Sequence, residues 1–313
     1  MAIYKEPKIL VLLSSYNGEK YLQMQIESIL NQKDVSVFIL IRDDGSTDNT
    51  RPLLRRLVAA DTLRMKLIEG DNVGCTKSFV ELMRIASTLK DFTPDYYAFS
   101  DQDDVWFSDK LSHSVKALPD LDNTKPQLFC ADSIMVDNHL NEIPVMKRRY
   151  KLSFGEALVC NASGGHTQVF NRKLLLEAIR VEFPPIILHD WWIYCVCQAL
   201  DGDFVCETTP LLFYRQHTNN VVGSRNRSKS LWRKVRDIIS STNTGLSYSL
   251  AVALFNGYTN LLNKEKYRIL KLVVNYKDSI WSKLRLICAF RLFMSCHKKT
   301  NIRFVVSVLS EKF

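Results

Sequence analysis

The first hundred residues alternate short apolar runs with segments of helical periodicity, and this alternation limits the possible folds more than any other feature. Each apolar run is rich in Ile, Val and Leu, and a polar turn and an amphipathic segment follow it. Strands that alternate with helices predict a mostly parallel α/β sheet flanked by helices. The predicted strands are Lys8 to Ser15, Val35 to Ile41, Met65 to Glu69 and Tyr96 to Ser100, with helices at about 19–31, 49–59 and 77–89.

Three of these predicted strands end in polar clusters. Ligands of open parallel sheets bind beyond the carboxyl ends of the strands, and those ends share one edge. We therefore expect the three clusters to lie together and to form a binding site. The clusters are Ser15-Tyr16-Asn17, Asp43-Asp44-Gly45 and Asp101-Gln102-Asp103-Asp104.

The remaining sequence predicts a two-part organisation. Strands at Gln127 to Ala131, Gly165 to Phe170 and Leu211 to Tyr214 are expected to complete the same α/β domain. From Arg225 onward, apolar residues recur at helical spacing. We expect an α/β domain at 1–224 and a mainly helical, basic C-terminal region at 225–313.

Positive charge is concentrated in the last ninety or so residues. Residues 1–220 contain 24 Lys+Arg and 29 Asp+Glu, whereas residues 221–313 contain 18 and 4, a net charge of +14. Such a basic region suggests an anionic partner, either nucleic acid or a membrane surface. Between Ser279 and Met294, apolar and basic residues share a predicted helix, a combination that favours an anionic membrane interface and no nucleic acid. The residues are Ile280, Trp281, Leu284, Leu286, Ile287, Phe290 and Phe293, with Lys283, Arg285 and Arg291. The alternative is that these helices pack against the α/β domain.

No signal peptide is expected, because the apolar run at Ile9 to Leu13 is too short for a signal-peptide core. No membrane-spanning segment is expected either, because Ser, Thr, Asn and Gly residues interrupt the longest uncharged stretch, Ile238 to Asn263. The eight cysteines are scattered without the spacing of a disulfide scaffold or a zinc site. These features predict a cytoplasmic protein that lies peripherally on the inner face of the membrane.

The acidic cluster Asp101, Asp103 and Asp104 suggests a cation. Three carboxylates so close together repel one another unless positive charge lies among them, and Mg²⁺ or Mn²⁺ prefers hard oxygen ligands. The alternative is a solvated loop that opens the following helix. Arg215 and His217 are candidates for contacts with a diphosphate or a metal, although a lone His is more often structural.

Two further acidic positions allow two interpretations each. Asp44 either forms part of an Asp-Gly turn or accepts hydrogen bonds from a nucleotide base or ribose. Asp190 lies in an apolar stretch with His189 before it. It is either a general base or the cap of a helix that starts at Trp191, and Trp191 and Trp192 are candidates for stacking on a sugar.

The absence of three motifs disfavours three classes of enzyme. The sequence contains no Gly-x-Gly-x-x-Gly after the first strand, no P-loop and no Gly-x-Ser-x-Gly elbow. Dinucleotide oxidoreductases, P-loop NTPases and α/β-hydrolases are therefore disfavoured.

Read together, the polar clusters resemble the motifs of glycosyltransferase family 2, whose members have the nucleotide-sugar-binding GT-A fold. Within the family, the chain is most similar to rhamnosyltransferase-like enzymes of bacterial surface-polysaccharide assembly. The matching segments are Ser14 to Leu22 (SSYNGEKYL), Arg42 to Asp48 (RDDGSTD), Phe99 to Trp106 (FSDQDDVW) and His189 to Trp192 (HDWW).

The resemblance implies roles for individual residues. It implies that Tyr16, Asn17 and Asp44 contact the nucleoside, and that Asp101 and Asp103 form the family's Asp-x-Asp element at the diphosphate. Asp103 is then the direct ligand of a divalent cation, Mn²⁺ or Mg²⁺. Asp190 corresponds to the acidic general base, although His189 replaces the acidic residue that usually precedes it. Gly164 to Thr167 are expected to line the acceptor site, or to be only a turn into a strand.

The resemblance also implies a reaction. The expected enzyme inverts the anomeric carbon and transfers a sugar from a nucleoside-diphosphate sugar, such as dTDP-rhamnose or a UDP-hexose, to a saccharide or lipid-linked acceptor. A Gln-x-x-Arg-Trp element, typical of processive synthases, is absent, so one sugar is added per encounter. The alternative is a non-catalytic nucleotide- or carbohydrate-binding protein that retains the fold.

Overall fold

The computed structural model describes residues 6–90, 92–119, 123–144, 152–184, 188–217, 245–294 and 298–313. Its strands are β1 (Lys8–Ser15), β2 (Ser36–Asp44), β3 (Met65–Gly70), β4 (Tyr96–Ser100), β5 (Val105–Trp106), β6 (Gln127–Val136), β7 (Val169–Asn171) and β8 (Asp203–Arg215). Its α-helices are α1 (Leu22–Leu30), α2 (Thr50–Ala60), α3 (Cys75–Thr88), α4 (Lys110–Ala117), α5 (Phe154–Ala157), α6 (Arg172–Arg180), α7 (His189–Ala199), α8 (Leu246–Tyr258), α9 (Lys264–Val274), α10 (Ile280–Cys288), α11 (Phe290–Phe293) and α12 (Lys298–Leu309).

The strands form one eight-stranded sheet in the order β3-β2-β1-β4-β7-β6-β8-β5. Strand β1 pairs in parallel with both β2 and β4, so that Ser15 lies opposite Asp43 and Leu13 lies opposite Ser100. The polar segments that follow β1, β2 and β4 therefore leave the sheet at the same edge. This confirms the predicted fold class and the predicted convergence of the three clusters.

Strand β1 is buried on both faces, which explains its nearly continuous apolar sequence. Ile9 to Leu13 have no exposed surface. Helices that cover both faces of a parallel sheet remove the apolar/polar alternation seen in half-exposed strands. The buried strand fixes the position at which the polar segment after Ser15 begins.

The second half of the sheet is less regular than the sequence suggested. The predicted strand Gly165 to Phe170 is wrong in its first part, because Gly165–Thr167 forms a 3₁₀ turn and only Val169–Asn171 enters the sheet. That short strand runs antiparallel to both β4 and β6. An apolar run reveals a buried segment, but strand direction depends on the path of the connecting chain.

Two compact units group the described residues. The first contains those within Met1–Val145, Ser163–Ile179 and Gly202–Gly223, and the second those within Met146–Ala162, Arg180–Asp201 and Ser224–Phe313. The described residues after 244 are mainly helical, as expected. The division at residue 224 stays a prediction, because this grouping places two earlier segments with the C-terminal helices.

The amphipathic segment from Ser279 to Met294 does not form one helix with a single apolar face. A break at Ala289 separates α10 from α11, and Leu286 and Phe293 are fully buried. Leu286 and Phe293 therefore pack within the second unit, and the membrane contact of this segment stays a prediction. Ile280, on the other hand, is exposed. Among the described residues, no helix is long and apolar enough to cross a bilayer.

Candidate active site

In the first unit, the amide of Gln102 joins the segment after β1 to the acidic segment after β4. Its Oε1 accepts from Tyr16 N at 2.8 Å and from Ser15 Oγ at 2.9 Å, and its Nε2 donates to Tyr16 O at 3.0 Å. A Cβ on Gly18 would meet Gln102 Oε1 at 2.2 Å. This role of Gln102 could not be predicted from the sequence, because the middle position of an Asp-x-Asp element carries no local signal of its own.

Asn17 joins the segments after β1 and β2. Its Oδ1 accepts from Thr47 N at 2.8 Å, and its backbone N donates to Ser46 Oγ at 3.0 Å. Its φ of 50° lies in the left-handed region, which Asn tolerates better than most residues. The neighbouring Tyr16 side chain is 45% exposed at this edge. Nucleoside contacts by Tyr16 and Asn17 remain predictions.

Asp44 is buried and holds the segment after β3. Its carboxylate accepts from Val73 N at 3.0 Å and from Gly74 N at 2.9 Å, and it pairs with the buried Arg42. The side chain is only 2% exposed. Asp44 thus organises the loops of this edge, and its predicted contact with the nucleoside is not tested.

The three carboxylates of the acidic segment occupy different environments. Asp103 is 13% exposed in its side chain, and its Oδ2 lies 2.7 Å from His217 Nε2. Asp104 has no exposed surface. Burial raises the pKa of Asp104 well above its usual value, and the nearby charges of Asp101 and Asp103 raise it further. Asp101 and Asp103 are therefore better placed than Asp104 to carry negative charge toward a ligand.

Arg215, at the end of β8, fixes the backbone around the acidic segment. Its Nε donates to Asp103 O at 2.9 Å, and its backbone N donates to Asp104 Oδ1 at 3.3 Å. The guanidinium lies 4.5 Å above the ring of Tyr21, which stacks on His217 with ring centroids 5.3 Å apart. Because Arg215 is 2% exposed, this geometry favours a supporting role, and its diphosphate contact remains a prediction.

Lys110 is a second residue whose role could not be predicted from the sequence. Its side chain is fully buried, and its Nζ lies 3.2 Å from the centroid of the Trp106 ring. Burial lowers the pKa of Lys110 well below its usual value, while Asp104 and Asp101 act in the opposite direction. Lys110 therefore lies close enough to Asp104 and Asp101 for its protonation to be linked to theirs.

The donor set at Asp103 and His217 suits a divalent cation that substrate also binds. No group of three or more His, Cys, Asp or Glu residues able to hold a metal occurs in the part of the chain that the structure describes. A cation bound by one or two protein groups needs oxygen ligands from elsewhere, and phosphate-handling sites take them from the substrate. The Asp103 carboxylate and the His217 imidazole can supply the two protein ligands when a cation replaces the 2.7 Å hydrogen bond that joins them.

Asp190 lies in the second unit, in the first turn of α7. Its Oδ2 accepts from Asn161 Nδ2 at 3.1 Å, and its side chain is half-buried. A carboxylate at a helix N-terminus also interacts favourably with the helix dipole. Both interpretations, general base and helix-terminal group, thus remain open for Asp190. His189 begins the helix and is buried, which lowers the pKa of its imidazole to about 3.

The two indoles after Asp190 belong to the core of the second unit. Trp191 donates from Nε1 to Ala157 O at 2.7 Å, and Trp192 packs against Phe183 and Tyr258. They are 6% and 0% exposed. The expectation that they stack on a sugar is therefore wrong, because helix α7 turns both of them inward.

Curated relatives are bacterial glycosyltransferases. The chain is 28% identical over 232 residues to the dTDP-rhamnosyl transferase RfbG of Shigella flexneri, an alignment that covers 71% of this chain and 78% of the relative. It is 24% identical over 250 residues to the Escherichia coli UDP-Glc:alpha-D-GlcNAc-diphosphoundecaprenol beta-1,3-glucosyltransferase WfgD, with 77% and 90% covered.

Two solved structures share the fold. Residues 1–349 of TarS from S. aureus, in complex with UDP-GlcNAc, match with a TM-score of 0.55 and 16% identity, over 98% of this chain and 93% of that one. The mannosyltransferase PcManGT from Pyrobaculum calidifontis, in complex with GDP-Man and Mn²⁺, matches with a TM-score of 0.52 and 17% identity, over 99% and 89%.

The family model for glycosyl transferase family 2 matches residues 10–177, more than half of the chain. That range includes most of β1, all of β2 and β4, and the polar segments that follow these strands. The chain belongs to glycosyltransferase family 2.

Proposed function

We propose that the protein is an inverting, non-processive glycosyltransferase that takes a sugar from a nucleoside-diphosphate donor with the aid of Mn²⁺ or Mg²⁺. The observation that carries the proposal is the pairing of Asp103 with His217 at the sheet edge where Tyr16 and Asn17 also lie. A carboxylate and an imidazole at this edge can hold a cation that also binds the donor diphosphate.

The proposed donor contacts follow the strand ends. Tyr16, Asn17 and Asp44 bind or frame the nucleoside, and Asp101 and Arg215 position the diphosphate. Asp103 and His217 hold the divalent cation, which when bound neutralises the charge of the departing diphosphate. The side-chain exposure of Tyr16 supports a direct contact, and the burial of Asp44 and Arg215 supports positioning roles.

Asp190 is the proposed general base. Its carboxylate takes the proton from an acceptor hydroxyl as that oxygen attacks the anomeric carbon, and the bond from this carbon to the diphosphate oxygen breaks. Attack from the face opposite the leaving group inverts the anomeric configuration. Asn161 orients the carboxylate through its hydrogen bond to Oδ2.

For the donor we propose dTDP-rhamnose first, because the relative from Shigella flexneri is named for it, and a UDP-hexose second. For the acceptor we propose a saccharide or lipid-linked saccharide of cell-surface polysaccharide synthesis, in line with the diphosphoundecaprenol acceptor in the name of WfgD. The proposed location is the cytoplasm, peripherally on the inner face of the membrane, with no nucleic-acid partner.

A panel of nucleotide sugars tests this function. Purified protein with Mn²⁺ is incubated with each donor, and release of the nucleoside diphosphate is measured with and without a lipid-linked acceptor extract. Acceptor-dependent release with one donor class supports the proposal, and the anomeric configuration of the product, read by NMR, tests inversion. Tight donor binding with no turnover on any acceptor would instead favour a non-catalytic binding protein.

A further inference from the structure

Helix α10 presents an apolar stripe to solvent. Trp281 is 70% exposed and Leu284 is 41% exposed, and Ile280 beside them is 60% exposed. Trp281, Leu284 and Cys288 are separated by three and four positions, so they share one face of the helix. Cys288 is also exposed. A large exposed Trp in line with an exposed Leu is unusual for a surface that faces only water.

The segment that carries this stripe also exposes positively charged side chains. Lys277, Arg285 and Arg291 are all exposed. Between 277 and 294 the sequence contains four Lys or Arg residues and one acidic residue, Asp278. The exposed surface of this segment therefore combines apolar side chains with a net positive charge.

The opposite side of α10 is packed, so the stripe is held in a defined orientation within the second unit. Leu286 is fully buried, and α12 packs against α10. Lys283 adds an ion pair with Glu311. Trp281 and Leu284 are therefore exposed on a helix whose other side is already packed.

We propose that this face of α10, defined by Ile280, Trp281, Leu284 and Cys288 with Arg285, docks on the surface of an anionic lipid bilayer. Tryptophan favours the membrane–water interface, and each basic residue near an anionic leaflet adds attraction. The proposal rests on the proposed function, since a lipid-linked acceptor lies at such a surface.

The positive charge of this face favours an anionic bilayer as its partner over another segment of the same chain. Residues 225–244, which lie outside the described part, contain six Lys or Arg residues and one acidic residue. A basic segment is a poor partner for a basic face, because the charges repel at short range. An anionic surface has the complementary charge.

Tryptophan fluorescence of the full chain provides a direct test. The protein is titrated with vesicles of phosphatidylcholine alone and of phosphatidylcholine with phosphatidylglycerol, and Trp281→Phe supplies the background from the other indoles. The expected result is a blue shift of the Trp281 emission with the anionic vesicles only, and quenching by lipids brominated near the top of the acyl chains.

Vesicle co-sedimentation of variants tests the face itself. Trp281→Ser/Leu284→Ser is expected to weaken binding at least tenfold, and Arg285→Glu at least fivefold, in keeping with loss of interfacial burial and of one basic contact. Matched controls are Leu63→Ser, at a position that is 88% exposed in the first unit, and Arg56→Glu, on the exposed surface of α2. Both controls are expected to bind like the wild type.

Three results would overturn the proposal. They are an unchanged Trp281 emission with anionic vesicles, equal binding by the α10 variants and the wild type, and a concentration-dependent dimer in sedimentation velocity that the double substitution abolishes. The last result would assign the face to a second copy of the chain. Nucleoside diphosphate release from the donor alone is measured in parallel, so that loss of lipid binding is distinguished from failure of the proposed function.

Discussion

His217 Nε2 lies 2.7 Å from Asp103 Oδ2, although 113 residues separate the two positions along the chain. The contact joins the end of β8 to the segment after β4. Tyr21 stacks on the imidazole from one side, which limits the orientations open to the ring. Two potential cation ligands are thus positioned before any substrate arrives.

The first prediction concerns the cation at this pair. Asp103→Asn keeps the size of the side chain but removes its charge, so Mn²⁺ affinity is expected to fall by at least tenfold and transfer to become undetectable. Mn²⁺ binding in the presence of the nucleoside diphosphate, followed by electron paramagnetic resonance, measures the affinity without turnover. Chelation of the wild type should abolish transfer, and Mn²⁺ or Mg²⁺ should restore it.

Asp109→Asn is the control for this experiment, because Asp109 is exposed and lies six residues away. It should leave Mn²⁺ binding unchanged. Full transfer activity after exhaustive chelation would eliminate the cation from the mechanism.

The second prediction concerns Asp190. Asp190→Asn retains hydrogen bonding to Asn161 but cannot accept a proton, so kcat is expected to fall by roughly 10²- to 10⁴-fold, the range typical of a lost general base. Donor affinity, measured by calorimetry, should stay within about twofold of the wild type. Asp278→Asn, an exposed change in the same unit, serves as the control.

A near-native kcat for Asp190→Asn would contradict the role as base. The role as base would also be contradicted if Asp190→Asn unfolded at a lower urea concentration and lost donor binding. That outcome would show that the carboxylate stabilises the start of α7.

The strand ends could be predicted from the sequence because two local signals coincide there. Apolar runs locate β1, β2 and β4, and the polar residues after each run indicate where the strand leaves the core. Parallel topology then brings the clusters together without any knowledge of side-chain contacts. The same reasoning could not reveal the Gln102 clamp, by which we mean the three hydrogen bonds from its amide to Ser15 and Tyr16. Nor could it reveal the burial of Lys110, since both features depend on contacts between segments distant in sequence.

The wrong expectation for Trp191 and Trp192 and the mixed exposure of the segment 279–294 have a common physical origin. Trp191 and Trp192 follow a polar pair, and a local reading placed them at a ligand, whereas helix packing buries them. In the tail, Leu286 and Ile280 share one amphipathic pattern but have opposite exposure. Periodicity shows that a helix has an apolar face, but it does not show what covers that face.

The third prediction tests the Gln102 clamp. An added methyl group at Gly18 would lie 2.2 Å from Gln102 Oε1, so Gly18→Ala must displace an amide that makes three hydrogen bonds. Each such bond contributes about 1 kcal/mol, and their loss should release the Tyr16 segment. The expected result is a rise of about tenfold in donor KM with a smaller change in kcat.

A double substitution makes this prediction specific. Gln102→Ala removes the atoms that the new methyl group would strike, so adding Gly18→Ala to Gln102→Ala should raise the donor KM far less than Gly18→Ala does in the wild type. Independent, multiplicative effects of the two changes on KM would contradict the clamp. Gln23→Ala, on the exposed surface of α1, is the control.

The last prediction concerns the pH dependence of stability through His189. Burial lowers the pKa of its imidazole from 6.5 to about 3, so the unfolded chain takes up a proton at pH values where the folded chain does not. A group with a depressed folded-state pKa contributes full stability above its unfolded value of about 6.5, and that contribution decreases as the pH falls toward 3. The decrease is roughly 1.4 kcal/mol per pH unit below the unfolded value.

Urea unfolding at pH 8 and pH 5 measures this decrease. The free energy of unfolding should fall less between these pH values for His189→Gln than for the wild type. The control His139→Gln, at an exposed position, should behave like the wild type. An equal fall in the wild type and in His189→Gln would show that His189 does not remain neutral in the folded protein.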